Sequence, residues 1–216
     1  FDGVFLWYDE SQIDDTVRKV KALNLKIETF HLPYDNCNHL WIDDDLGNNY
    51  FNNIIKGIKS ASDHGVKTVI MHNMSGHDAP MPNYIGLDRI NKLLKVCREY
   101  NVNLAIENVR DIAYTNYILK NIKHPNLKLC LDFGHTHAFK YKLEDVLFKE
   151  YGELICCVHI SDNHGDGDEH LVPFMGNINY QEILDKLKSV NYRGPLTSEA
   201  HWFNIMPEDE FIPQVF

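Results

Sequence analysis

The strongest constraint on the fold of this chain is an alternation. Short apolar stretches, rich in β-branched and aromatic residues and bounded by turn residues, are separated by amphipathic helical patterns, and the pair recurs roughly every 25–40 residues. Seven stretches read as strands: GVFLWYD (3–9), LKIETFH (25–31), KTVIMHN (67–73), NLAIENV (103–109), LKLCLDF (127–133), LICCVHI (154–160) and GPLTSEA (194–200). Helical spacing runs through 14–24, 50–65, 85–101 and 180–191, the second ending at Gly65. Strand then helix, repeated, implies βαβ units and a parallel sheet. An open sheet built for nucleotides would carry a glycine fingerprint after its first strand, and WYDESQIDD has none. A (β/α)8 barrel is the expected architecture, as one domain over residues 1–216. Eight strands close such a barrel, so the expectation is of one lacking its first strand and helix and part of its last helix in this sequence.

Within these strands the polar residues recur at one place. His31, His72, Glu107, Asp132, His159 and Glu199 lie at or near the C-terminal ends of six strands. In a parallel barrel those ends converge on the face where active sites are built. A core strand would otherwise place Val, Ile or Leu there, and burying a carboxylate or imidazole without a partner costs several kcal/mol or more. Taken jointly, the six point to a metal site. Oxygen and imidazole donors suit Zn or Mn best, with Co, Fe or Mg as further candidates. His39, His64, His77, His124 and His137 fall in helices or loops and are read as structural.

The remaining composition narrows the partners. A formal net charge of -10 disfavours nucleic acid and anionic membranes. No apolar run reaches bilayer length and no secretory leader opens the sequence, so a cytoplasmic protein is expected. The five cysteines include no C-x-x-C pair and read as reduced core residues; Cys130 and Cys157 should lie one layer beneath Asp132 and His159. Trp7 and Trp202, near strand ends, are candidates to stack on a ligand ring, and Arg110 to bind a phosphate. Asp162 and His164 could support the loop after His159, whose glycines at 165, 167 and 176 give its backbone freedom.

The segments FHLPY (30–34), MHN (71–73), AIENV (105–109), LCLDFGHTHA (129–138), VHISDNHGDGDEHLVPFMGNINY (158–180) and SEAHW (198–202) together resemble the xylose isomerase-like TIM barrel superfamily. That superfamily includes sugar phosphate isomerases and epimerases, inosose dehydratases and the endonuclease IV type of abasic-site nuclease. The resemblance implies a metal site of Glu107, Asp132, His159 and Glu199, with Glu107 and Glu199 doubling as the acid/base pair of a sugar isomerase or epimerase working through a metal-stabilised enediolate. It also implies conditional ligands for up to three ions: His31 and His72 with Glu107, and His135 with Asp168 and His170. Three zinc ions would suit phosphodiester hydrolysis; a single ion leaves the glutamates free for proton transfer. The strand-to-helix loops 34–49 and 161–170 contain no Lys or Arg, which favours a sugar or sugar phosphate over a nucleic-acid substrate. A metal-binding barrel without catalysis is the third alternative, and a homo-oligomer is compatible with all of these.

Overall fold

The computed structural model describes residues 2–141 and 149–201, and these fall into two compact units divided between Leu129 and Cys130. In the first, strands β1 (Gly3–Trp7), β2 (Lys26–His31), β3 (Thr68–Met71) and β4 (Asn103–Glu107) are neighbours in chain order, each paired parallel with the next. Helices α1 (Ile13–Ala22), α2 (Asp45–His64), α3 (Tyr84–Tyr100) and α4 (Ile112–Asn121) alternate with them. In the second, β5 (Leu127–Asp132), β6 (Ile155–Ile160) and β7 (Leu196–Ser198) follow chain order, with α5 (Phe133–Ala138), the single turn α6 (Lys149–Tyr151) and α7 (Tyr180–Ser189) between them. No helix among the described residues is long and apolar enough to cross a membrane.

The strands are shorter than their apolar stretches, because each stops where the chain turns toward its next helix. β7 keeps only three residues, which leaves Glu199 just beyond it. Helix α2 begins at Asp45, five residues before the helical spacing became legible. The carboxylate of Asp44 accepts from the Gly47 amide and Asp45 sits in the first turn, so the acidic run serves the exposed amides of the helix start. Helices α4 and α5, to which the sequence analysis assigned no helical pattern, are capped likewise: Asp111 accepts from the Ala113 amide and Asp132 from that of His135.

Side chains with no site role secure the first unit. A 3₁₀ turn at Cys37–Trp41 places the Trp41 ring in the core, where its indole N–H donates to the Asn73 carbonyl at 2.7 Å. The guanidinium of Arg89, itself buried, donates to the carbonyls of His39, Leu40 and Ile42 and to the Asn48 side chain. A charge with its donors so satisfied fixes the segment before α2 at tolerable cost. Four of the five expected structural histidines have such partners too: His39 meets Asp44, His64 meets Asp14, His124 accepts from the Asn126 amide, and His137 meets the Asn163 carboxamide.

Cys130 and Cys157 are buried, and hydrogen bonding to Cys130, then burial, holds the Cys157 thiol well above its ordinary pKa. Both therefore behave as core filler.

Gly86, on α3, faces the Trp41 ring so closely that a Cβ would stand 2.1 Å from Cε3. Gly86→Ala is expected to destabilise the protein by about 1–3 kcal/mol through overpacking against an immobile ring. A urea midpoint equal to wild type would show that the ring can yield.

Candidate metal centres

Each residue singled out by its strand position is found at a strand end. His31 closes β2, His72 follows β3, Glu107 closes β4, Asp132 closes β5, His159 is next to last in β6, and Glu199 follows β7. His72, Glu107, Asp132 and His159 each follow a run of mostly apolar residues in their own strands, so the polar side chain stands at or near the end of that run. Glu107, Asp132 and His159 are fully buried and His31 and Glu199 nearly so.

In the first unit the carboxylate of Glu107 receives two imidazoles on one oxygen: His31 Nε2 at 3.1 Å and His72 Nε2 at 2.9 Å. The other ring nitrogen of His31 lies 3.0 Å from the Leu32 carbonyl, and a carbonyl only accepts, so Nδ1 carries the proton. Nε2 of His31 then faces the carboxylate either as a second N–H donor or as a lone pair. Two electron-rich atoms at that separation require a cation between them, either a proton or a metal ion. An imidazole with Nδ1–H on a backbone carbonyl and Nε2 turned inward is also the arrangement by which proteins orient metal-binding histidines. Aromatic rings surround the pair: Tyr34 lies flat on His72 at 4.7 Å and 18°, and Trp7, half exposed, leans over His31 at 4.1 Å.

The second unit holds two further groupings. Asp132, His159 and Glu199 form one, with His159 Nδ1 at 3.1 Å from Glu199 Oε1 and 3.9 Å from Asp132 Oδ2. The other is His135, Asp168 and His170, where both imidazoles place Nε2 at 3.2 Å from the same oxygen, Asp168 Oδ2. His170 repeats the device of His31, its Nδ1 standing 2.9 Å from the Glu199 carbonyl. Burial opposes the charge on Asp168, yet the hydrogen bonds from His135 and His170 outweigh it and hold that carboxyl well below the usual range. Burial likewise opposes charge on His170, but its bond to Asp168 raises the imidazole to about 9. Each of the three groupings brings nitrogen and oxygen donors close enough to share an ion.

The loop carrying Asp168 and His170 is organised by Asp162, which is fully buried. Its carboxylate accepts from the amides of Asn163, Phe174 and Ile178, and its backbone pairs antiparallel with Leu171. Gly176 is required there, since a Cβ would come within 2.3 Å of that carboxylate. His164, exposed, meets Glu169 within the same loop and lies outside these groupings. Arg110 is exposed at the start of the segment after β4, and Trp202 lies outside the described residues. The residue that sequence reasoning passed over is His201, whose ring lies 4.3 Å from that of His170 at 13°. Its pKa is lowered by burial and by the charge on His170. Only its place in SEAHW, two residues past Glu199, hinted at it.

Comparison with known proteins completes the picture. The model of a family described as xylose isomerase-like TIM barrel matches residues 1–214. The uncharacterized protein MJ1311 of Methanocaldococcus jannaschii is 31% identical over 124 residues, which is 51% of this chain and 41% of that protein. The match thus spans less than half the length of this curated relative. Among solved structures, a D-tagatose 3-epimerase-like protein superimposes with a TM-score of 0.77 at 22% identity, covering 93% of this chain and 82% of its own. The IOLI protein with a bound zinc atom gives a TM-score of 0.80 at 18% identity, covering 100% and 85%. Seven parallel strands with helices between them agree with that architecture. The chain belongs to the xylose isomerase-like TIM barrel family.

Proposed function

We propose that the protein is a divalent-metal-dependent sugar or sugar phosphate isomerase or epimerase. The observation that carries this reading is the convergence of imidazole Nε2 atoms on a single carboxylate oxygen, at Glu107 and again at Asp168, which sets nitrogen and oxygen donors close enough to share a cation at each place. The solved relatives support the substrate class: one is titled as a 3-epimerase-like protein, and the other holds zinc. Free cysteines throughout suit a reducing, cytoplasmic setting.

In this reading Glu107, Asp132, His159 and Glu199 are the ligands of the central ion, Zn or Mn, as the family resemblance implies. When bound, the ion supplies a Lewis acid that stabilises negative charge on a substrate carbonyl oxygen. The glutamates do the proton work. One removes the proton from the carbon beside the carbonyl, and the other returns a proton to that carbon. Trp7, half exposed beside His31, offers an apolar face to a sugar ring, and Trp202 and Arg110 are proposed as further substrate contacts.

A second reading, phosphodiester hydrolysis with about three zinc ions per chain, is favoured by one observation, the His135, Asp168 and His170 grouping, which a one-metal isomerase does not need. The acidic loop around it, with no Lys or Arg from 161 to 170, weighs against a polyanionic substrate.

Two experiments test these readings. Incubation with a panel of ketoses in D2O, with Mn or Zn supplied, should place solvent deuterium on the carbon that inverts. Glu199→Gln should lower that turnover by about 10²–10⁴-fold while circular dichroism stays unchanged; full turnover in the variant would remove Glu199 from the chemistry, and cleavage of an abasic-site duplex in place of exchange would install the second reading.

The other experiment uses pH on chelator-treated protein. His170 is raised to about 9 when folded, so its pairing with Asp168 stabilises the protein fully below its ordinary value of 6.5 and is lost as pH rises through about 9. The urea midpoint should fall across that interval, and Asp168→Asn should flatten the fall. A wild-type midpoint that is level from pH 6.5 to above 9 would show that the pair is not charged.

A further inference from the structure

We propose that His201 is the positioning residue of the His135, Asp168 and His170 grouping: its ring, stacked on His170, and its main-chain N–H, bound to the His170 carbonyl, hold that imidazole with Nε2 turned to Asp168. The consequence for metal affinity rests on the grouping being a zinc site; the orientation itself does not.

The need for such a residue follows from the backbone. His170 has φ of 50°, in the left-handed region that a residue with a Cβ adopts only when its surroundings impose it. Two hydrogen bonds tie this residue to the chain just past β7: His201 N–H donates to His170 O at 2.8 Å, and His170 Nδ1 donates to Glu199 O at 2.9 Å. These fix the backbone and one ring atom. A ring held through one atom can still rock about that bond, which would carry Nε2 away from Asp168. The face of His201 at 4.3 Å, nearly parallel, blocks that motion on one side.

The same device recurs at the other imidazole on Asp168 and at one of the two on Glu107. Tyr34 lies flat on His72 at 18°, and Phe139 lies on His135 at 27°. A flat ring is common to all three, so contact area and planarity are the required properties at position 201, and the imidazole nitrogens are dispensable there.

The test compares His201→Ala with His201→Phe in the full chain, using zinc itself as the probe. Circular dichroism confirms folding, and His135→Ala identifies which zinc equivalent belongs to the grouping. Competition with a chromophoric chelator should show that equivalent bound about tenfold more weakly in His201→Ala, with His201→Phe restored to about the wild-type constant. Crystals of metal-free His201→Ala should show the His170 ring turned away from the Glu199 carbonyl. Wild-type zinc affinity in His201→Ala, equal loss in His201→Phe, or an unmoved His170 ring without metal would each overturn the proposal. If the ring turns in His201→Ala while wild-type protein binds no zinc at this grouping, the positioning role stands and the zinc reading falls.

Discussion

A carboxylate in a dry interior demands a cation, and at Glu107 that demand organises its surroundings. Glu107 has no exposed surface, so its carboxylate must be met by donors or a cation, and two imidazoles converge on one of its oxygens. Each imidazole must then be aimed. His31 is aimed by the Leu32 carbonyl behind it, and His72 lies under Tyr34. A requirement arising at one atom of β4 thus reaches residues on β2, after β3 and in the segment beyond His31, which gives those sequence-distant positions a shared reason for their identities. In the second unit His135 and His170 take the corresponding places at Asp168, a carboxylate more exposed than Glu107.

Much of this was legible in the chain because strands write their pattern locally. The alternation of apolar runs and helical spacing located all seven strands, and a charged residue closing an apolar run, as in NLAIE or LKLCLD, stands out against its own neighbours. The helices that escaped notice show the limit. Helix α4 is apolar around much of its circumference, IAYTNYILKN, so it lacks the contrast between faces that marks an amphipathic helix; α5 is only six residues long. The start of α2 was hidden because an acidic run reads as a solvated loop unless its role as cap is recognised.

The candidate site was legible only in its donor side chains. Their orientation depends on backbone carbonyls and on rings stacked from other segments, and neither leaves a mark in the sequence. His201 is one histidine among twelve, and its meaning lies in a contact across 31 positions (201 less 170). Asp162 was read as a support of the loop after His159, and its three amide bonds show how it acts: it holds the loop from within.

Such internal support bears on how the loop would meet a ligand. A glycine-rich acidic segment left to itself would sample many shapes, and an ion would have to select one and bear the entropy of ordering it. Here the three amides gathered by Asp162 order the segment during folding, before any ion arrives. Asp168 and His170 are thereby preorganised, so an ion bound there would not bear the cost of closing the loop, and its binding free energy would appear as affinity.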